Sequence, residues 1–194
     1  MQRKTLLVGI SAIAVIAVVA VFAVGVRLLR KPSFRNEVIN PPTQAAEINM
    51  VDDHGQTFRM SDMRGKVVLL YFGYTNCPDE CPLTMAHIKQ ALGTIGADAQ
   101  DVRVVMVTTD PTHDSPQAMI DFLSNFDPSF IGIPGSADDL AKIYKDYGVT
   151  VLDSGETHSS YTYVIDRNGD LRLLFVPDTG PDDIASDLKL LLAE

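Results

Sequence analysis

Basic residues are scarce over most of this chain. Six of its sixteen lysines and arginines lie in the first 35 residues, which contain no acid, and the remaining 159 residues carry a net charge of −15. A domain this acidic is repelled by phosphate backbones and by anionic lipid, so nucleic acid is excluded as a partner. The charge favours metal cations or a basic protein instead. Internal repeats and low-complexity tracts are also absent, and 194 residues suit one well-cored domain plus a targeting segment.

Charge is missing altogether from Leu6 to Val26, a run of 21 residues with basic residues on both sides. As a helix this run spans about 31 Å, which matches the hydrocarbon core of a bilayer. A cleaved signal peptide is the alternative, but its apolar segment is usually shorter, and no small-x-small cleavage site follows here. We expect a short cytoplasmic N-terminus over residues 1–5, a transmembrane anchor over 6–26 and an extended, proline-containing tether over 27–46. Basic residues at both ends leave the orientation open.

From Glu47 onward, apolar patterns alternate between strand and helix. Strands are predicted over 48–51, 57–60, 67–72, 102–107, 130–133, 161–165 and 171–175. Helices are predicted from 82 onward and over 116–126, 137–147 and 182–192. This order is that of a thioredoxin-like α/β fold, and the N-terminal hairpin and an inserted helical segment enlarge it toward the peroxiredoxin-like variant. Residues 47–194 are therefore predicted to form one thioredoxin-like domain.

The chain contains only two cysteines, Cys77 and Cys81, between the buried strand at 67–72 and the next helix. Open α/β folds place their sites at the C-terminal ends of strands, so a functional pair is favoured over two packed structural cysteines. A spacing of four brings the two Cβ atoms within about 6 Å on a helix or turn. That separation permits a disulfide, and it also lets two sulfurs face one metal ion, so geometry alone does not choose.

Local charge favours a metal. Asp79 and Glu80 lie between the cysteines and raise the cost of ionising both thiols, a cost that a bound cation offsets. The helix N-terminus near Pro82 acts in the opposite direction. The balance therefore leans toward a metal site without deciding the matter.

Three segments carry a family resemblance: YFGYTNCPDECPLTM, VTTDPTHDSP and THSSYTYVID. In this order they are similar to the Cys-Pro-x-x-Cys-Pro, Asp-Pro-x-x-Asp and histidine-bearing segments of the Sco/SenC family, the membrane-anchored copper chaperones for cytochrome c oxidase. The resemblance implies that Cys77, Cys81 and His158 ligate copper, as Cu(I) or Cu(II). Two thiolates and an imidazole suit Cu(I).

The resemblance also implies a function and a location. The protein is expected to deliver copper to the dinuclear copper site of cytochrome c oxidase subunit II, with another copper chaperone or a thiol reductant as a further partner. Because thiols and copper traffic on the extracytoplasmic side, it is expected to be a single-pass inner-membrane protein with a periplasmic domain. Its membrane contact is the N-terminal helix, and nucleic acid is not among its partners.

An enzyme is the alternative. Cys77 and Cys81 then form a redox-active pair that reduces the cysteines of subunit II or of other extracytoplasmic proteins by disulfide exchange. A metallochaperone is favoured over this thiol:disulfide oxidoreductase because His158-Ser159 replaces the proline that thioredoxins carry nearby. Peroxide reduction fits less well because the Pro and Thr that precede a peroxidatic cysteine are absent.

Other candidate ligands receive structural roles. His54, His87 and His113 are expected on solvated surfaces. Met85 shares an apolar helix face and is predicted to pack in the core rather than to bind metal.

Several further side chains are predicted to surround the site or to shape its loops. Tyr71, Phe72 and Tyr74 are expected to wall the site. A turn and a helix cap are expected from Asp110, Asp114 and Ser115. The loop before His158 carries Asp153 and Glu156, which either orient the imidazole or form a solvated acidic surface.

Overall fold

The computed structural model describes Phe22, residues 33–152 and residues 157–194. The chain divides into two compact units, residues 1–33 and 34–194. Among the residues described, no helix combines the length and the hydropathy that a membrane span requires. Apart from Phe22, the anchor expected over 6–26 lies outside the described residues, as do residues 1–5 and 27–32, so these assignments stay predictions.

The described residues of the second unit form ten strands and four α-helices. The strands are β1 (Glu37–Gln44), β2 (Asn49–Val51), β3 (Thr57–Arg59), β4 (Val67–Gly73), β5 (Val102–Thr108), β6 (Ile131–Ile133), β7 (Val151–Leu152), β8 (Thr157–His158), β9 (Thr162–Ile165) and β10 (Asp170–Phe175). The helices are α1 (Glu80–Ile95), α2 (Pro116–Leu123), α3 (Ala137–Tyr147) and α4 (Pro181–Leu192). Short 3-10 helices lie at Met60–Met63 and Gly96–Asp101.

Six strands form one mixed sheet in the order β1-β10-β9-β4-β5-β6. β4, β5 and β6 run parallel, whereas β9 is antiparallel to both β4 and β10. β2 and β3 form the predicted N-terminal hairpin, and β7 and β8 form a separate two-stranded sheet. The predicted thioredoxin-like core, with strands and helices in the expected order, is confirmed.

β4 is the central strand, and all seven of its residues are buried. A strand covered on both faces reads as an unbroken apolar run, which is why its sequence is VVLLYFG. Its side chains alternate between two clusters. Tyr71 packs on the face covered by α1 and α4, and Phe72 packs on the opposite face against α3. Phe72 contacts Tyr144, Tyr147 and Tyr163 there, so its predicted place in the wall of the thiol site is wrong.

The helix that follows β5 begins as its sequence predicts. Ser115 adopts an extended backbone conformation and its Oγ accepts a hydrogen bond from the Ala118 N–H at 3.2 Å, while Pro116 takes the first helical position. The cap satisfies one of the backbone donors that every helix leaves open at its N-terminus. The cap therefore fixes the residue at which the segment after β5 ends and α2 begins.

The folded unit begins earlier than predicted. β1 pairs antiparallel with β10, and the Asp187 carboxylate accepts hydrogen bonds from the backbone N–H groups of Arg35 and Asn36 at 2.8 and 3.0 Å. Pro41 and Pro42, which suggested a tether, lie where the β1 register shifts. An edge strand tolerates proline because one side of its backbone needs no pairing partner. The boundary is therefore corrected from Glu47 to Phe34, and residues 34–46 belong to the domain.

Candidate metal centre

Cys77 and Cys81 lie at the junction of β4 and α1, at the C-terminal end of a buried strand as the sequence predicts. Both are thiols; Cys81 is fully buried and Cys77 is partly exposed. The backbone N–H of Cys81 donates a hydrogen bond to Cys77 Sγ at 3.3 Å. The Cys77 sulfur is therefore held against the first turn of α1, in contact with the backbone of the residue that carries the second thiol.

The buried thiol is enclosed by the end of β4. The Tyr71 hydroxyl donates a hydrogen bond to Cys81 Sγ at 3.5 Å. At Gly73, an added Cβ would lie 2.5 Å from Tyr71 Cε1 and 3.0 Å from Cys81 Sγ. The first separation is shorter than real Cβ contacts and the second is tight, so glycine lets β4 close on this sulfur without displacing Tyr71. Tyr71 thus walls the site as predicted.

Burial, together with a smaller effect of the hydrogen bond with Cys77 and against an opposing effect of Tyr71, raises the pKa of the Cys81 thiol to about 12. Burial likewise raises the pKa of Tyr71 above its ordinary value. At neutral pH the buried sulfur is therefore a protonated thiol. Thiolates are the species that bind metals, so a metal ion here must displace that proton.

This difference between the two thiols predicts their order of alkylation. With iodoacetamide near pH 8, we expect the partly exposed Cys77 to be labelled at least about tenfold faster than Cys81, because only thiolates react and burial opposes ionisation of Cys81. Because the pKa of Cys81 is raised to about 12, its alkylation rate should rise about tenfold with each pH unit and should not level off near pH 9 as the rate of an ordinary thiol does. Peptide mass spectrometry over a time course measures both rates. Equal labelling in guanidinium is the control, and equal labelling of the native protein would contradict the prediction.

Asp114 holds the loop that leads to Cys77. Its carboxylate is 3% exposed and accepts hydrogen bonds from the Thr75 N–H, the Thr75 hydroxyl and the Thr108 hydroxyl at 3.1, 2.6 and 2.6 Å. The loop is also tied by the Thr109 N–H, which donates to the Gly73 carbonyl at 2.8 Å. The sequence predicted only a turn and a helix cap around Asp114 and did not predict that its carboxylate holds the loop before Cys77. The sequence contained a signal for this contact. The DPTHDSP segment follows β5 and the cysteine loop follows β4, and the ends of these neighbouring parallel strands meet at one edge of the sheet.

His158 belongs to a segment that contacts the residues around the thiols. It lies in β8, paired with Val151, and its side chain is outside what the structure describes. Two residues later, the Ser160 hydroxyl donates a hydrogen bond to Glu80 Oε2 at 2.8 Å, and Thr162 of β9 pairs with Tyr71 of β4. The predicted position of this segment beside the cysteine loop is confirmed. The ligand role of His158 stays a prediction, and Asp153 and Glu156 lie outside the described residues.

The other histidines are held by neighbouring oxygens. The Nδ1 atoms of His54, His113 and His87 lie 2.8, 2.7 and 3.1 Å from carboxylates of Asp53 and Asp110 and from the Thr179 carbonyl, respectively. The side chains of His54 and His113 are more than half exposed, as predicted, whereas His87 is half-buried.

A different group of potential ligands lies in the turn between β2 and β3. Among the described side chains, only Asp52, Asp53 and His54 bring three possible metal-binding atoms within 4.8 Å of one another. Both carboxylates already accept backbone hydrogen bonds, Asp52 from His54 and Gln56 and Asp53 from Gly132. These contacts close the turn and dock it on β6. The group is therefore explained by its structural role.

Met85 lies in the hydrophobic core of the described residues. Its side chain is fully buried in the same cluster as Tyr71 and Ile88. The prediction that it packs in the core is confirmed.

The mixed sheet and the thiol pair at its central strand–helix junction define a thioredoxin-like protein. Three residues separate its cysteines, and a histidine-bearing hairpin lies beside them. More specifically, the chain belongs to the SCO1/SenC family, whose family model matches residues 38–193.

Individual family members support this assignment. A SCO2-like protein of Rickettsia felis is 30% identical over 152 residues, which cover 74% of this chain and 74% of that protein. The structure of Bradyrhizobium japonicum ScoI with copper bound is 31% identical with a TM-score of 0.69, covering 77% of this chain and 99% of that one. Apo Sco1 from Thermus thermophilus is 30% identical with a TM-score of 0.73, covering 82% and 97%.

Proposed function

We propose that this protein binds copper through Cys77, Cys81 and His158 and delivers it to the dinuclear copper site of cytochrome c oxidase subunit II. The observation that carries the proposal is the contact between the segment that holds the two thiols and the segment that follows His158. The Cys81 N–H bonds the Cys77 sulfur, and Ser160 bonds Glu80 between the two cysteines. Copper bound to a related ScoI supports the choice of metal.

The chemistry of the donor atoms fits copper as cargo. Two thiolates and an imidazole are soft to intermediate ligands that select Cu(I) over the hard cations that carboxylates prefer. Because Cys81 is protonated in the apo protein, loading releases a proton and unloading takes one up. The partly exposed Cys77 is the sulfur that an incoming thiolate of the partner reaches first. Transfer then proceeds by ligand exchange, in which each copper–sulfur bond that breaks is replaced by one to the partner.

The destination rests on the family. BsSco is described as a member of the Sco family of cytochrome c oxidase assembly proteins, and its likeness to this chain, at 23% identity, shows the fold alone. Subunit II is the proposed acceptor because its copper site is built on thiolates able to exchange with Cys77.

We further propose that residues 6–26 anchor the protein in the inner membrane, with the acidic domain on the periplasmic side. Support comes from the charge-free run of 21 residues, which matches the thickness of a bilayer. Alkaline phosphatase fused after Glu194 is expected to be active only if that end lies outside the cytoplasm. An inactive but stable fusion would contradict this orientation.

Copper titration of the full-length protein in detergent tests the function. We expect tight binding of one Cu(I), a loss of affinity of about 100-fold or more in His158→Ala, and loss of the nitrogen hyperfine splitting in the Cu(II) electron paramagnetic resonance (EPR) spectrum. His87→Ala is the matched control, since its Nδ1 already contacts the Thr179 carbonyl, and it should bind as wild type. Wild-type binding by His158→Ala would refute the ligand role. No binding by the wild type would refute the copper function.

A thiol:disulfide oxidoreductase is the second candidate, favoured by one observation. A partly exposed thiol followed by a buried one is the arrangement in which Cys77 attacks a disulfide and Cys81 resolves the mixed disulfide. The exchange oxidises the pair to a Cys77–Cys81 disulfide and reduces the partner by two electrons. Copper-free reduction of a disulfide in the soluble domain of subunit II, within seconds at micromolar protein, would favour this activity over delivery.

A further inference from the structure

One side-chain contact joins the two parts of the proposed copper site. The Ser160 hydroxyl donates a hydrogen bond to Glu80 Oε2 at 2.8 Å across 80 residues of sequence. Glu80 is the first residue of α1 and lies between Cys77 and Cys81, whereas Ser160 follows His158 by two residues. Two residues of extended chain reach about 7 Å at most, so the contact limits how far the His158 backbone can lie from it.

The hairpin that carries His158 is small where the structure describes it, over residues 151–152 and 157–158. β7 and β8 are two residues long and form their own two-stranded sheet, separate from the six-stranded one. An isolated two-stranded hairpin is marginally stable in water. The Ser159 N–H donates to the Thr150 carbonyl at 3.2 Å, but that bond lies within the same hairpin. The bond from Ser160 to Glu80 connects the segment that follows this hairpin to α1, the helix that carries Cys81.

We propose that Glu80 and Ser160 are positioning residues that hold His158 at the thiol pair and so increase copper affinity without touching the metal. The proposal rests on the proposed function and adds a determinant from this chain's own residues. Glu80 also lies in the cleft that Ser160, Leu83 and Thr84 line, where its side chain is half-buried. Its carboxylate thus serves as a structural hydrogen-bond acceptor.

The adjacent Asp79 serves as a control that distinguishes a positioning role of Glu80 from an effect of its negative charge. Both carboxylates stand between the cysteines, but Asp79 is exposed, whereas Glu80 is half-buried and bonded to Ser160. If negative charge beside the thiols governs copper affinity, removing either carboxylate has a similar effect. If the contact positions the hairpin, only Glu80 matters. Glu80→Gln separates the two further, because its amide oxygen can still accept the Ser160 hydroxyl while the charge is lost.

The experiment uses the full-length protein in detergent and Cu(I) as the probe. We expect Glu80→Ala and Ser160→Ala each to lower copper affinity about 10- to 100-fold, and the double variant to be no worse than either, because both remove one contact. Glu80→Gln and Asp79→Ala should stay within about threefold of wild type. The nitrogen splitting of the Cu(II) EPR spectrum should weaken only in the variants that break the contact.

A second measurement needs no copper. In the apo protein, amide hydrogen exchange of residues 157–160 should accelerate in Glu80→Ala and Ser160→Ala but not in Asp79→Ala. Unchanged exchange, unchanged affinity in Glu80→Ala, or an equal loss in Asp79→Ala would overturn the positioning role while leaving copper binding by the wild type intact. A wild-type protein that binds no copper would overturn the proposed function and this inference together.

Discussion

Replacing either Cys77 or Cys81 with serine is expected to abolish tight copper binding, lowering the affinity for Cu(I) more than about 100-fold. Losing a residue that only orients a ligand commonly costs 10- to 100-fold, so losing a ligand costs more. A serine hydroxyl is a hard donor that stays protonated at neutral pH, and Cu(I) prefers soft thiolates. Competition with a Cu(I) chelator of known affinity measures the loss.

The two variants should differ in stability. Cys77 is partly exposed, so Cys77→Ser should unfold at the wild-type denaturant midpoint. Cys81 is fully buried beside Tyr71, and placing a hydroxyl there should lower the free energy of unfolding by about 1–3 kcal/mol. Urea titration of the apo proteins measures this difference. The comparison shows whether a loss of copper binding comes from the missing ligand or from partial unfolding.

Met85→Leu is the matched control, because Met85 is another buried sulfur residue of α1. Leucine preserves its volume in the core, so both stability and copper affinity should remain close to wild type. Wild-type copper affinity in Cys77→Ser would contradict the proposed site and direct attention to other donors. A large loss in Met85→Leu would contradict the assignment of this methionine to the core.

The core of the fold could be predicted because its signals are local. β4 reads as an unbroken apolar run, the cysteines follow it directly, and Ser115-Pro116 marks the start of α2. The position of each residue along β4 also predicts which face of the sheet its side chain occupies. Successive side chains in a strand point to opposite faces, so Tyr71 and Phe72 cannot both wall one site.

Other parts depend on contacts that no local pattern reveals. β1 reads as a tether because it contains prolines, and it becomes a strand only through pairing with β10, which lies about 130 residues later. β7 and β8 are too short to show a period of two. The hydrogen bond between Ser160 and Glu80 joins residues 80 positions apart in sequence. Such contacts follow from the assembled sheet, and for the same reason the Asp114 carboxylate could be identified as a loop support only in three dimensions.

Replacing Asp114 with alanine is expected to lower both stability and copper affinity. The substitution removes a buried acceptor and leaves the Thr75 N–H and the Thr75 and Thr108 hydroxyls without it. Hydrogen bonds to charged groups contribute about 1.5–3 kcal/mol each, and because bonds that share one carboxylate are not additive, a destabilisation of at least about 3 kcal/mol is expected. Because Thr75 leads into Cys77, the sulfur loses its fixed position and copper affinity should fall about 10- to 100-fold.

Asp110→Ala is the matched control for this prediction. Asp110 is a carboxylate buried in the same loop, but its described side-chain contacts are to His113, which does not lead to the thiols. The Asp110→Ala protein should lose some stability while keeping its copper affinity within about threefold of wild type. Affinity is to be measured below the unfolding transition of each variant, together with the alkylation rate of Cys77 in the apo protein, which should rise only in Asp114→Ala. Equal copper affinities in the two variants would show that Asp114 supports the fold alone, whereas a loss confined to Asp114→Ala connects the segment after β5 to the position of the first sulfur.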